Sequence, residues 1–159
     1  MPSANIAAAI KWSSSLKRWG ETVTDPKRIK RKAYLKTVAR LATAVVKRTP
    51  VRTGLAKGNW RIAFEGRSGS RRVYPTRDPV GTVTIQNIIQ AASVFAARSS
   101  FVLYNNVPYI ERLESGWSRQ APHGMVALSL LEFNNSLRTL EREIIRELEI
   151  EIKAVSRVA

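Results

Sequence analysis

At 159 residues with a formal net charge of +15, one histidine and no cysteine, the chain is sized for one domain with a real hydrophobic core and not for two. The missing thiols exclude a disulfide scaffold, a thiolate metal site and a cysteine nucleophile, and His123, beside Gly124, has no second histidine with which to hold a metal. No run approaches the roughly 18 apolar residues of a membrane span, and the first twenty residues lack the unbroken apolar block of a signal peptide, so a soluble chain made inside the cell, with no membrane partner, is expected.

Ser3 as a cap, an alanine-rich run, and Ile6, Ile10, Leu16 and Trp19 at loosely helical spacing predict a helix over residues 3–19, closed by Gly20. The spread of its apolar residues suggests docking against another element or another subunit. Asp25 followed by Pro26 is a helix start. From there Tyr34, Val38, Leu41 and Val45, flanked by Leu35 and Ala42, form the apolar stripe of a helix of about five turns that Pro50 stops. Lys32, Lys36, Arg40 and Lys47 line up as a basic ridge on its opposite side, and Lys47 and Arg48 suit the negative end of the helix dipole. Thr49-Pro50-Val51-Arg52-Thr53-Gly54-Leu55 reads as a rigid turn, with Pro50 fixing one dihedral and Gly54 able to supply a positive one. It lacks the Gly-Lys-Ser/Thr ending and the preceding strand of a phosphate-binding loop. Asn59 to Phe64 alternates as a strand with Trp60, Ile62 and Phe64 on one face.

Residues 65–81 have the composition of a mobile loop. Arg67, Arg71, Arg72 and Arg77, with Tyr74 among them, suit contact with DNA phosphates without sequence readout, a solvated surface loop being the alternative. Ile85, Ile88, Ile89, Ala92 and Phe95 fit a short helix, although the Thr-Val-Thr start fits a strand equally well. Phe101, Leu103 and Asn105 alternate with Val102 and Tyr104 as a second strand. It delivers the chain into Asn105 to Val126, a connector crowded with aromatic, acidic, basic and turn-forming residues.

After Pro122, Met125, Leu128, Leu131, Leu137, Leu140, Ile144, Leu148, Ile152 and Val155 repeat at helical spacing. Arg138, Arg142 and Arg146 flank that arc, Glu143, Glu147 and Glu151 lie further round, and Glu143 with Arg146 is an i, i+3 pair. The Asn134-Asn135 pair is where this helix is expected to loosen or break. Its segregated charge is either a solvated face or an edge that pairs with a neighbouring subunit. The whole is expected to be an α+β domain, a small antiparallel sheet packed with a long helix in the N-terminal half and a long C-terminal helix.

Charge is unevenly distributed: residues 1–80 hold 19 Lys and Arg against 4 Asp and Glu, and residues 81–159 hold 8 of each sign. One electropositive region, suited to nucleic acid or to an acidic protein surface, follows from that count. Glu111 and Glu114, three apart, can imitate a general acid/base pair. Arg112 and Arg119 stand near to neutralise them, and no nucleophile or metal-ligand set accompanies them. No enzymatic activity, metal or cofactor is expected.

Thr49-Pro50-Val51-Arg52-Thr53-Gly54, Asn59-Trp60, Asn105-Asn106-Val107-Pro108-Tyr109-Ile110, Leu113-Glu114-Ser115-Gly116 and Gln120-Ala121-Pro122-His123-Gly124-Met125-Val126 resemble, in order and approximate spacing, the neck or tail-completion proteins of lambda-like long-tailed bacteriophages. The resemblance covers roughly residues 26–135. Arg52 departs from it, since members often carry an acidic residue before the Thr-Gly. The resemblance implies an α+β virion protein forming a ring, expected as a hexamer, between the head connector and the tail tube or tail terminator, through which double-stranded DNA passes. Rings are built from heterologous contacts, for which Trp12, Tyr109, Glu114, Trp117 and Arg119 are candidate interface residues. The rival reading is a small basic nucleic-acid-binding protein.

Overall fold

A computed structural model describes residues 26–64, 69–95 and 100–156. The helix expected over residues 3–19, with Trp12, and the candidate phosphate contact Arg67 lie outside the described residues. In chain order the elements are α1 (Pro26–Arg48), α2 (Leu55–Gly58), β1 (Arg61–Phe64), α3 (Thr82–Val94), β2 (Phe101–Tyr104), α4 (Ile110–Glu114) and α5 (Val126–Ser156). The architecture is the expected α+β: two long helices and a two-stranded antiparallel sheet.

The central element is α1. Its expected stripe of Tyr34, Val38, Leu41 and Val45 is buried, and so are Ile29, Ala33, Ala42 and Val46. The buried set is wider than one stripe because α3 and α5 both pack on this helix. The small side chains of Ala33, Ala42 and Val46 let the neighbours approach closely. The sheet pairs Arg61 with Tyr104 and Phe64 with Phe101. Aromatic rings tie it to the helices: Tyr34 meets Phe101 edge-on at 5.7 Å, and Phe64 lies 4.1 Å from Phe95. The hydroxyls of Tyr34 and Thr37 are buried without a hydrogen-bond partner among the described residues, and burial pushes the Tyr34 phenol up to about 12.

The ambiguous stretch after Gly81 is helical from Thr82 onward. The Thr-Val-Thr start belongs to its first turn, and a buried carboxylate, described below, holds it there. The C-terminal helix runs unbroken through Asn134-Asn135, contrary to expectation. Both asparagines are exposed, where they cost only intrinsic propensity, about 0.5 kcal/mol each. The neighbouring Phe133 is buried, which outweighs that cost, since burying such a side chain stabilises by roughly 1.5–3 kcal/mol. The core face of α5 also differs from the expected one. Val126, Ser129, Phe133, Leu140, Ile144 and Leu148 are buried, while Leu128 and Leu131 are 37% and 59% exposed. Ser129 disguises the period: its hydroxyl donates to the Met125 carbonyl at 2.6 Å, so a polar residue sits in the core without an unmet hydrogen bond.

The charges of the two long helices face each other. Lys32 and Lys36 reach Glu147, with Lys32 at 2.9 Å, Arg40 reaches Glu143 at 2.6 Å, and Arg48 reaches Glu132. Most of the expected basic ridge of α1 therefore pairs with the acidic flank of α5 in the same chain. Glu143 serves Arg40 and not Arg146. Hydrogen bonds from Lys36 and Lys32 hold the Glu147 carboxyl below its ordinary range. These pairs are partly exposed, so each stabilises by at most about 1 kcal/mol. The apolar face supplies the larger energy and the charges set antiparallel register.

Candidate interaction surface

The connector expected to organise the chain is held by side chains that bond to backbone. Glu114, at the end of α4, accepts from the amides of Met125, Val126 and Ala127 at 2.9, 2.8 and 2.9 Å. One carboxylate thus satisfies amides at the start of α5 that have no partner within the helix, and its charge complements the positive end of the helix dipole. Gly124 makes room for it: its φ is +77°, and a Cβ there would lie 2.5 Å from the Glu114 carbonyl and 2.9 Å from its carboxyl. Glu114, a candidate interface residue by sequence, is half-buried and works inside the chain. Glu111 is exposed and does not converge with it, so the imitation of an acid/base pair is not realised.

Two amides of side chains join the connector to the upstream turn. Gln120 accepts from the Val51 amide at 2.9 Å and donates to the Val51 carbonyl at 3.0 Å. Asn105 donates to the Ala56 carbonyl at 2.7 Å and accepts from the Val107 amide. Gln120 copies the pairing of a strand neighbour, while Asn105 closes a local turn through Val107 and ties it to Ala56. The turn is fixed by Gln120 while Arg52 is exposed. Trp60 donates its indole N–H to the Thr49 hydroxyl at 2.8 Å, and Thr49 donates on to the Val45 carbonyl at 2.7 Å. The turn is thereby locked to both α1 and β1.

The loop expected to be mobile is pinned over its described part, residues 69–81. Asn59 accepts from the Tyr74 amide at 2.7 Å and donates to the Tyr74 carbonyl at 2.9 Å, Tyr104 accepts from the Ser70 amide at 3.2 Å, and the Asp78 amide donates to the Gly54 carbonyl at 3.1 Å. Gly54, at φ +79°, lets that contact form, since a Cβ would stand 2.7 Å from the Pro79 nitrogen. Asp78 is buried and accepts from the Gly81 amide at 2.7 Å and from the Thr84 amide and hydroxyl at 2.8 Å. Burial alone pushes its carboxyl up. Hydrogen bonds from Thr84 and Gly81 and the charge of Lys57 more than reverse this, leaving it below its ordinary value. Lys57, also buried, is pulled down by desolvation, partly offset by Asp78. Glycine, serine and proline composition signals irregular backbone, not motion; the anchors come from residues distant in sequence.

What this scaffold leaves exposed is a groove of about 490 Å³ between the turn and the connector, lined by Pro50 to Ala56 on one side and by Tyr109, Leu113, Trp117, Ser118 and Gln120 on the other. Trp117 is 74% exposed and Tyr109 38%. The Arg112 guanidinium lies over the Trp117 ring at 5.0 Å. Arg52 and Arg119 are exposed on the two segments. Exposed aromatic rings with arginine, on a backbone fixed by side-chain bonds, have the composition of protein-contact anchors. A larger groove of about 700 Å³ between α1 and α5 is crossed by charged side chains, Arg40, Lys47, Arg48 and Glu132 among its lining, and offers no exposed aromatic anchor.

Of the candidate phosphate contacts, Arg71, Arg72 and Arg77 are exposed. Tyr74 is half-buried between two guanidiniums, Arg61 at 4.8 Å and Arg72 at 5.6 Å from its ring. That leaves less of the ring for stacking on a base than the sequence suggested. Among the described residues no three acidic or histidine side chains gather as a metal site, and no helix is long and apolar enough to cross a membrane. Comparison of the chain with protein-family models, with curated proteins and with solved structures gives no match in any of the three.

Proposed function

We propose that the chain is a virion structural protein of a phage neck, assembling as a ring that joins the head connector to the tail tube and lets double-stranded DNA pass. The observation that carries this reading is the convergence of the segments that bear the resemblance. The Thr49–Gly54 turn, Asn59-Trp60, Asn105, Glu114 and Gln120–Val126 are bonded to one another or to adjoining backbone, although up to about seventy residues separate them. Their polar side chains build a platform, and the platform presents Tyr109 and Trp117 outward. Placed at a heterologous contact, that groove would receive the next subunit. The exposed arginines of residues 71–77 supply charge for passing phosphates without base readout. The same arginines favour the second reading, a small nucleic-acid-binding protein that acts without assembling.

Light scattering of the purified chain across salt concentrations, with and without duplex DNA, separates the two. A discrete oligomer that persists in high salt is the result expected of a ring protein. A monomer whose mass changes only when DNA is added would contradict the ring and favour the second reading.

A further inference from the structure

Five of the acidic side chains among the described residues are engaged within the protein, while Glu111, Glu141 and Glu149 are not. Asp78 and Glu114 hold the starts of α3 and α5, and Glu132, Glu143 and Glu147 pair with α1. The consequence falls on the outer side of α5. Arg138, Arg142 and Arg146 recur at four-residue intervals, so they share a side of the helix, each roughly 6 Å beyond the last. All three are exposed, and none forms an ion pair with a described carboxylate. Glu143, which as an i, i+3 neighbour would neutralise Arg146, is turned inward to Arg40. The C-terminal half, neutral by residue count, therefore presents a row of positive charge.

We propose that this row is a binding surface for the backbone of duplex nucleic acid, holding phosphates without reading bases. Its span of roughly 12 Å faces a strand that carries a phosphate every roughly 3.4 Å of helix axis, enough for one phosphate per arginine. The guanidinium fork matches phosphate oxygens in pairs. Neither groove described above reaches the row. A second copy of the chain is a poorer occupant than a polyanion, because among the described residues its unpaired carboxylates are three, Glu111, Glu141 and Glu149. The row lies on a different element from the arginines of residues 71–77 and does not depend on ring assembly.

The test is the salt dependence of binding to a fluorescently labelled mixed-sequence duplex, read by anisotropy. It compares the wild-type chain, an Arg138→Gln/Arg142→Gln/Arg146→Gln variant and an Arg71→Gln/Arg72→Gln/Arg77→Gln variant, each with its thermal unfolding recorded. The first variant is expected to unfold like wild type, to lose affinity equally on two unrelated sequences, and to lower the slope of log K against log salt by about 2.7, nearly one unit per phosphate released. An unchanged slope in that variant, with the loss carried by the loop variant, would overturn the proposal, and so would a wild-type chain that does not bind the duplex. So would loss of binding to an acidic polypeptide, polyglutamate, with duplex binding intact, which would mark the row as a protein contact.

Discussion

Replacing Glu114 with alanine is expected to lower folding stability by about 3 kcal/mol, among the largest effects of any single substitution outside the apolar core. The carboxylate accepts from three successive amides, and alanine would leave amides at the start of a 31-residue helix without acceptors. Nothing adjacent replaces it, because the loop that brings it there is shaped around it by Gly124. Glutamine keeps an acceptor and loses the charge that opposes the helix dipole, so Glu114→Gln is expected to cost about 1–2 kcal/mol. Urea unfolding monitored by circular dichroism checks both. A loss below about 0.5 kcal/mol for alanine would mean that solvent caps α5 equally well.

Asp78→Ala is expected to cost a similar amount, about 3 kcal/mol, by a different route. It removes the acceptor of two amides and a hydroxyl at the start of α3 and leaves Lys57 buried without the carboxylate whose charge supports it. Asp78 also sets a pH dependence. Its carboxyl in the folded chain lies below the ordinary 3.8, so the unfolded chain binds the proton more readily. The stabilisation is then fully present above about pH 4 and is lost as pH falls through the lowered folded value. Lys57 acts at the other end of the scale. Its pKa is lowered from 10.5, so between that lowered value and 10.5 the unfolded chain holds more protons and stability rises with pH. Urea midpoints of wild type and Asp78→Asn from pH 6 down to pH 2.5 check the acid limb: the difference between the two should shrink as pH falls.

Elements whose period is carried by large apolar residues were legible in the sequence. The α1 stripe, the second strand and the positive φ of Gly54 stand as expected, whereas the first strand begins at Arg61, not Asn59, and buries the adjacent Ala63 and Phe64 instead of alternating. Three features were hidden for physical reasons. Ser129 in the core face of α5 masks its true period, because its hydroxyl is satisfied by the helix itself. The pinning of residues 69–81 depends on Asn59 and Tyr104, whose partners lie 15 and 34 residues away, and no local composition reports such pairing. Charge was the least legible of all. Counting residues by halves placed the positive potential in the N-terminal half, whereas α1 and α5 exchange charge across their interface and leave exposed arginines on both. For the groove, sequence singled out Tyr109, Trp117 and Arg119 on one segment; the upstream turn as its other wall could be found only once Gln120 was seen to bond Val51.

That the groove is the assembly surface is tested most directly by hydrogen–deuterium exchange of the assembled chain against its monomer. Slower exchange on assembly at residues 50–56 and 109–120, the two walls of the groove, is the expected result. Unchanged exchange in both walls while other segments become protected would contradict it.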